Sequence, residues 1–412
     1  MSLSAVSFRI FVLLLCGTLS TAAAYADEQD TFSLFASIDR VYDSNLFRAP
    51  ESESSDAMTV TRVGLEVDKR YSLQRFQVRL NATRYSFGDY DELDYNGTDS
   101  RIAWLWSITP RLHGTLSADY KRAMNDYTDY RDSRRNLRTT RSYRFDATWD
   151  ILGGWQALGG ISRYQQENEE AFLAESDYSS NSAEYGIRYR YPSGSSLALV
   201  GRTAHGQYDK REANPLAFID SGFDEHNPEL RVDWQASAKS RLSLNLGYLK
   251  REHEHFSVRD YQGTVASLNY IWDVSAKFRL VTNVRQGLAS YQETPRLLIE
   301  NGGIVGYPGS SYYRSRSFSL SPQWQATPKI LVRAQWRQEN RDFRDALPVD
   351  FSPFPVGETR EDQMRFFQLG IDWAPRSMLR FSTSLQYEQR QSNWDAYDFD
   401  DRIMQFSAQF LF

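Results

Sequence analysis

The sequence has little of what defines several common protein classes. One cysteine in 412 residues excludes a disulfide scaffold and a cysteine-based metal site. The only long apolar run lies at the extreme N-terminus, which excludes a bundle of membrane-spanning helices. The 48 lysines and arginines do not outnumber the 53 aspartates and glutamates, so the composition predicts no nucleic-acid partner.

Aromatic residues, in contrast, are abundant. They make up 14% of the chain, as 25 Tyr, 24 Phe and 10 Trp, although 25% of the residues are charged. Disordered chains have few bulky residues, so this content indicates a folded protein. Polar chains are also usually poor in Trp and Tyr, which makes the combination informative about fold.

The N-terminus has the organisation of an export signal. Arg9 precedes an apolar run over residues 10–15, and small residues follow as far as Ala24-Tyr25-Ala26. A charged region, a short apolar region and an A-x-A site predict cleavage after Ala26. A lipoprotein anchored at Cys16 is the alternative, but Leu15 occupies a position where such signals have a small residue. We therefore expect residues 1–26 to be a Sec signal peptide.

Two-residue alternation dominates the rest of the chain. Leu230, Val232 and Trp234, for example, alternate with polar residues, as expected of a strand with two different faces. No segment keeps a helical period for three turns. The alternation predicts about eighteen strands, centred near residues 35, 63, 80, 103, 117, 145, 160, 186, 201, 233, 246, 267, 283, 320, 335, 369, 384 and 406.

The connections between these strands alternate between short turns and long polar loops. Thr109-Pro110-Arg111 and Leu152-Gly153-Gly154 are examples of the short kind, and 125–139 and 292–313 of the long kind. The pattern predicts an all-β fold over 27–412: a transmembrane antiparallel up-and-down barrel with short periplasmic turns and long extracellular loops, in a Gram-negative outer membrane. A soluble sandwich also alternates, but 386 residues would be unusual for one all-β domain.

Tryptophans and the C-terminus also favour the barrel. Several Trp side chains precede short turns and are predicted to form a girdle in contact with outer-membrane lipid: Trp104, Trp106, Trp149, Trp234, Trp272, Trp324 and Trp373. The last strand ends on Phe412, which resembles the signal read by the barrel-assembly machinery. Ordinary core tryptophans are the alternative interpretation.

If the apolar set faces lipid, the alternate set lines the lumen. Its arginines are candidate contacts for a polysaccharide or oligosaccharide, because guanidinium groups donate paired hydrogen bonds to carboxylates and hydroxyls: Arg79, Arg144, Arg188, Arg190, Arg231, Arg285, Arg333, Arg337 and Arg380. The alternative is that these arginines pair with acids on neighbouring strands and simply solvate a wide lumen. The long loops 292–313 and 342–361 are candidates for an inward-folded constriction.

Residue patterns for catalysis, metals and cofactors are weak. His253 and His255 could share a strand face beside acidic residues, but no third metal ligand of suitable spacing follows. Asp43 and Asn45 suggest a cation loop, although both residue types commonly terminate strands and form turns. No G-x-S-x-G nucleophile motif is present. We expect no catalytic, metal or cofactor site and no enzymatic activity.

The segment Tyr42-Asp43-Ser44-Asn45-Leu46-Phe47-Arg48 resembles the Y-D-x-N-L-F-R opening of a barrel family. This is the EpsL-type family of porin-like barrels encoded in exosortase-linked exopolysaccharide operons of proteobacteria. Relatives often have Asp or Asn where this chain has Ser44. The resemblance implies an outer-membrane component of exopolysaccharide biosynthesis and export, and it brings no catalytic residues.

Three functions remain open at this point. The resemblance favours an export channel for a polysaccharide. A general diffusion or oligosaccharide-uptake porin has the same composition and periodicity, as does a non-conducting assembly partner of a separate exporter. Only Asp27–Thr31 lie between the predicted cleavage site and the first strand. We therefore expect polymer delivery to require periplasmic or inner-membrane export proteins.

Overall fold

The computed structural model describes residues 31–128, 133–213, 215, 220–290, 296–300, 303–307, 312–343 and 358–412. The predicted signal peptide over 1–26 lies outside these residues. Among the described residues, no helix is long and apolar enough to cross a membrane. The helical segments that are described are single 3₁₀ turns in the loops, such as Asp91–Leu93 and Ser257–Arg259.

Twenty strands are described, and eighteen of them form one closed antiparallel barrel. The strands in chain order are β1 (Phe32–Asp43), β2 (Asp56–Tyr71), β3 (Gln74–Ser86), β4 (Tyr95–Thr109), β5 (Leu112–Met124), β6 (Leu137–Leu152), β7 (Trp155–Asn168), β8 (Tyr178–Arg190), β9 (Ser196–Tyr208), β10 (Gly222–Ser237), β11 (Ser240–His253), β12 (Tyr261–Ser275), β13 (Phe278–Ser290), β14 (Arg296–Glu300), β15 (Gly303–Tyr307), β16 (Tyr312–Thr327), β17 (Ile330–Phe343), β18 (Glu361–Arg376), β19 (Leu379–Ser392) and β20 (Phe399–Leu411).

Each barrel strand pairs with its neighbours along the chain, and β20 pairs with β1 to close the sheet. The exceptions are β14 and β15, which pair with each other as a separate hairpin, so that β13 lies beside β16. The predicted transmembrane barrel is therefore confirmed, and all eighteen predicted strand centres fall within barrel strands. The β14–β15 hairpin was not predicted, because it lies inside what the sequence presents as one long loop.

Short turns connect the strands at the end of the barrel where β1 begins and β20 ends. In the turn between β6 and β7, Gly153 and Gly154 both have positive φ (60° and 89°). Two consecutive positive φ angles match the twist of a β-hairpin and favour glycine at both positions. In outer-membrane barrels the short turns face the periplasm, so the long loops mark the extracellular end.

Contacts between side chains show which face of the sheet is the lumen. Arg231 on β10 bonds to Glu184 on β8 at 2.8 Å, although β9 lies between the two strands. Arg144 on β6 similarly comes within 3.8 Å of Glu184. Side chains can span an intervening strand only on the concave face, where they converge. The charged alternate set therefore points inward, and the apolar set covers the outside.

The outer face near the periplasmic turns is rich in exposed tryptophan. Six of the predicted girdle residues lie here with exposed rings: Trp104, Trp149, Trp234, Trp272, Trp324 and Trp373. Trp106 differs, because its ring covers Gly114 on β5 and stacks on Phe145 of β6 at 5.6 Å. That ring is 7% exposed. The contact of this girdle with lipid headgroups stays a prediction.

Candidate functional site: the lumen of the barrel

The strand registers place all the predicted lumen arginines on the inward face. Arg79 pairs across the sheet with Glu66, and Arg333 bonds to Asp372. Because the register alternates strictly, every second residue of each strand shares this face. The alternation in the sequence was therefore sufficient to assign these side chains to the lumen, whereas their contact with a sugar stays a prediction.

About half of these arginines are paired with carboxylates. The closest pairs are Arg333 with Asp372 at 2.6 Å and Arg79 with Glu66 at 2.7 Å. Arg231 contacts both Glu184 and Glu229. For these side chains the simpler interpretation holds, since neighbouring acids satisfy their hydrogen bonds.

The other predicted arginines have no such partner within the described part of the chain, where no carboxylate comes within ion-pair distance of their guanidinium groups: Arg188, Arg190, Arg285, Arg337 and Arg380. Arg337 instead lies 5.1 Å from the centre of the Phe366 ring. Arg188 makes a long bond of 3.5 Å to the Gln156 amide. These side chains are the ones with hydrogen-bond donors to offer a ligand.

Arg188 and Arg190 come together in a recess at the periplasmic end of the lumen. The recess has a volume of about 670 Å³, and a third arginine, Arg241 at the start of β11, also lines it. The other polar lining groups are His113, Gln156, Ser193, Ser196, Asp233 and Gln235. Sequence reasoning missed Arg241, although it alternates with Leu242 and Leu244 as a lumen residue should.

The acidic group in this recess is already engaged. Asp233 accepts hydrogen bonds from the hydroxyls of Ser243 (2.8 Å) and Ser196 (3.3 Å). Arg241 bonds to the neutral amide of Gln235 at 3.1 Å. The recess therefore presents three guanidinium groups against one carboxylate, and its net charge is positive.

The extracellular end is built differently, around the segment that follows β1. Arg48 is bonded to Asp43 and to Asp401 of β20, each at 3.1 Å, and all three side chains are buried. Burial lowers the pKa of Arg48, but the charges of Asp43 and Asp401 outweigh it and raise that pKa above its usual value. The buried guanidinium therefore stays charged and holds both acids.

Asn45 completes this network. Its side chain donates to the carbonyls of Ala49 (2.8 Å) and Asp400 (3.0 Å), and its backbone N–H donates to Asp43 and Asp401. Asp43 and Asn45 are thus occupied by protein groups, and the suggested cation loop is instead a structural junction. It joins the start of the barrel wall to its last strand.

Aromatic contacts extend the junction over the lumen. The ring of Phe47 lies 5.1 Å from Tyr90, in the β3–β4 loop, and 5.1 Å from Tyr127, in the β5–β6 loop. Arg390 on β19 donates to the carbonyl of Thr128 in that same loop at 2.5 Å. Since β5 and β19 are six strands apart around the barrel, this bond crosses the lumen.

We call this assembly the extracellular cap: the β1–β2, β3–β4 and β5–β6 loops with Arg390 and Asp401. The loops proposed from the sequence as a constriction are described in part: 292–313 over 296–300, 303–307 and 312–313, and 342–361 over 342–343 and 358–361. The described part of the first loop contains the β14–β15 hairpin, and Arg360 in the second is buried against Asp362. A constriction formed by these two loops stays a prediction.

The two histidines considered as metal ligands have different surroundings and different partners. His253 points into the lumen, 3.5 Å from Asp260, whereas His255 bonds to Asp220 at 2.9 Å in the loop before β10. Asp220, Glu254 and His255 have their ligand-type atoms within 4.8 Å of one another. Asp220, however, already accepts backbone N–H bonds from His255 and Phe256. That carboxylate acts as a loop anchor.

Comparison with known proteins adds no argument about the fold or the function of this chain. No protein-family model and no curated protein matches the sequence. Similar solved structures include the outer membrane protein OpdK from Pseudomonas aeruginosa, with a TM-score of 0.49 and 11% identity over 92% of this chain and 99% of that one. Others are OccK2 (OpdF) of the same organism (0.49, 12%, 92% and 97%) and a variant of its ferric enterobactin receptor PfeA (0.47, 9%, 92% and 80%). At such values the likeness carries no functional argument.

Proposed function

We propose that this outer-membrane β-barrel is a channel for exopolysaccharide export, and that the basic recess at its periplasmic end receives the polymer. The observation that carries the proposal is the convergence of Arg188, Arg190 and Arg241 on one open recess. The resemblance of the segment after β1 to the EpsL-type opening supports the same assignment. The barrel would act without catalysis, since binding and passage need no bond to change.

The chemistry of the recess suits an acidic sugar polymer. Guanidinium groups bind carboxylates through two parallel hydrogen bonds, and serine hydroxyls and amides bind sugar hydroxyls. A weak site is appropriate for transport, since a polymer must leave as readily as it enters. The recess lies at the periplasmic end of the lumen, where an exported polymer would arrive from its delivery proteins.

Deletion of the gene, followed by complementation, tests the proposal. The deletion strain should lose polysaccharide outside the cell and accumulate or degrade it in the periplasm. Complementation with Arg188→Glu/Arg190→Glu should restore the barrel but leave secretion reduced by about tenfold, because two attractive charges become repulsive. Polysaccharide is quantified in both compartments.

The matched control is Arg79→Glu/Arg101→Glu, which makes the same charge change elsewhere in the lumen. These arginines pair with Glu66 and Asp119 rather than lining the recess. Normal external polysaccharide in the deletion strain would contradict an export role and favour a diffusion or uptake porin. An equal loss from both variants would contradict the assignment of the recess.

The extracellular cap favours one further candidate, a non-conducting assembly partner of a separate exporter. The bond between Arg390 and Thr128 crosses the lumen, and the cap residues around it are buried. Single-channel recordings in planar bilayers separate the two functions. Ion conductance through the wild-type barrel supports a channel, and its absence, with secretion lost in the deletion strain, supports the assembly role.

A further inference from the structure

The outward face of the barrel has basic side chains at one height above the periplasmic aromatic residues. Arg40 on β1 lies eight positions beyond Phe32, and both point outward. The same spacing separates three other arginines from outward aromatic residues: Arg163 of β7 from Trp155, Arg365 of β18 from Trp373 and Arg402 of β20 from Phe410. It recurs at Arg84, Arg141 and Arg316, and Lys250 lies at the same distance from the outward side chain of Leu242. We call these side chains the basic belt.

The spacing sets the height of the belt in the membrane. Eight residues of a strand tilted as in outer-membrane barrels rise about 20 Å. The apolar band of such barrels is about 25 Å tall. The belt therefore lies close to the extracellular boundary of the hydrocarbon region, where the headgroups of the outer leaflet begin.

Acidic side chains on the same face lie farther out. Asp400 stands ten positions from Phe410 on β20, and Glu361 stands twelve positions from Trp373 on β18. Glu167 on β7 is likewise beyond Arg163. On these strands the first charged residue above the apolar band is basic, which is the arrangement that complements a layer of negative headgroups.

Half of the belt is neutralised by the protein and half is not. Arg84 bonds to Asp94 and Arg141 to Glu167, at 2.7 and 2.9 Å. Arg40, Arg163, Arg365 and Arg402 are exposed, and no carboxylate in the described part of the chain lies within ion-pair distance of them. These four guanidinium groups are available to an external anion.

A recess of about 620 Å³ accompanies one of these arginines on the outer wall. Ile161, Ala183 and Phe145 form an apolar lower part, while Arg163, Asn181 and the bonded pair His205–Asp224 lie on the extracellular side. Because His205 engages Asp224, Arg163 is the cation on this rim that is left for a phosphorylated headgroup, and the apolar floor below it suits an acyl chain.

We propose that the basic belt binds phosphate groups of lipids in the outer leaflet of the outer membrane. The four uncompensated arginines make the contacts, and the recess beside Arg163 takes part of an acyl chain. The inference is independent of the cargo of the lumen, because the belt and the lumen lie on opposite faces of the sheet.

The test uses the purified full-length barrel and defined lipids. Native mass spectrometry measures binding of lipid A, a phosphorylated glycolipid, and of its dephosphorylated form. The variant Arg40→Gln/Arg163→Gln/Arg365→Gln/Arg402→Gln should bind lipid A at least about tenfold more weakly than the wild type. The wild type should prefer phosphorylated over dephosphorylated lipid A by a similar factor.

The control removes the same charge from the other face, as Arg62→Gln/Arg75→Gln/Arg101→Gln/Arg279→Gln. Its lipid A binding should stay within about twofold of the wild type. Heat-modifiable electrophoretic mobility confirms that each variant is folded, and single substitutions replace any that is not. Equal affinity of the belt variant and the wild type would overturn the proposal, as would equal binding of both lipids. A change in the number of barrel copies without a change in lipid binding would identify a second chain as the partner instead.

Discussion

The two ends of this barrel use the same residue types for opposite purposes. At the periplasmic end, the guanidinium of Arg79 and the carboxylate of Glu66 form a pair with side chains 58% and 47% exposed. At the extracellular end, Arg48 and Asp401 form a pair with side chains 8% and 0% exposed. Water solvates the first pair, whereas only protein groups surround the second. One end is an open polar vestibule and the other is a packed core.

This difference shows that an arginine-rich lumen is not one functional surface. Exposed arginines without acids, such as Arg188 and Arg190, can exchange water for a ligand. Buried arginines such as Arg48 are not free to bind a ligand. Burying a charge is unfavourable, and the bonds of Arg48 to Asp43 and Asp401 offset that cost, so breaking them would leave buried charges without partners. The lumen arginines without acidic partners are therefore the candidates for transport.

The largest expected effect is the loss of the buried charge in the extracellular cap. Arg48→Met leaves Asp43 and Asp401 buried beside each other without a counter-charge. We expect the free energy of unfolding to fall by about 3–5 kcal/mol, the usual cost of breaking a buried ion pair. Urea unfolding in lipid vesicles, followed by tryptophan fluorescence, measures the change.

Arg79→Met is the matched control at the other end. Because its pair with Glu66 is exposed, we expect a loss of at most about 1 kcal/mol in the same assay. Similar losses from the two variants would contradict the contrast between the ends.

An intermediate effect is expected at Arg231, which lies at about the same height in the lumen as Arg79 but is partly buried. Arg231→Met leaves Glu184 and Glu229 without their main donor, although Arg144 remains 3.8 Å from Glu184. We expect a loss of about 1.5–3 kcal/mol, the range for hydrogen bonds to charged groups. If the free energy of unfolding fell as little as in Arg79→Met, the strength of these ion pairs would not depend on their burial.

Loosening the cap should change conduction more than stability. Phe47→Ala/Tyr127→Ala removes the aromatic contacts that hold two loops over the lumen. We expect single-channel conductance to rise about twofold, since the narrowest polar passage limits ion flow. Phe406→Ala, on the outer face, is the control and should leave the conductance unchanged. Unaltered conductance in the double variant would place the constriction elsewhere.

The smallest effect is expected at a pair in an extracellular loop, between the exposed His255 and the buried Asp220. The hydrogen bond and charge of Asp220 raise the pKa of His255 above 6.5. Burial alone would raise the pKa of Asp220, but bonds from His255, Phe256 and Ser221 lower it below 3.8. The pair is fully charged between these values. The part of the folding stability that His255 contributes through this pair is fully present below pH 6.5. It is lost as the pH rises through the raised pKa of His255.

NMR titration of His255 measures this directly. Asp220→Asn should return the pKa of His255 to about 6.5. A titration unchanged by that substitution would show that the pair does not form in solution.

The wall of the barrel could be predicted from the sequence and its contents could not. Alternation is local, so residues such as Leu230 and Arg231 reveal their faces without knowledge of the rest of the chain. The cap depends on partners such as Ser44 and Asp401, which are 357 positions apart and carry no mutual signal. The recess is similar, because Arg188 and Arg241 meet through the curvature of the wall. The segment after β1 can be singled out by its residues, but its structural role depends on its bonds to β20.

The closing seam between β1 and β20 has a consequence for biogenesis. Phe35 aligns with Leu411 there, and Asn45 and Arg48 bond to residues at the start of β20. The first strand to be synthesised, β1, therefore pairs along one edge with the last strand, β20. Until β20 is in place, the edge of β1 lacks its strand partner and Arg48 lacks the carboxylate of Asp401. A chain truncated before β20 would present an unpaired edge to periplasmic proteases, so the seam acts as a check that translation was completed.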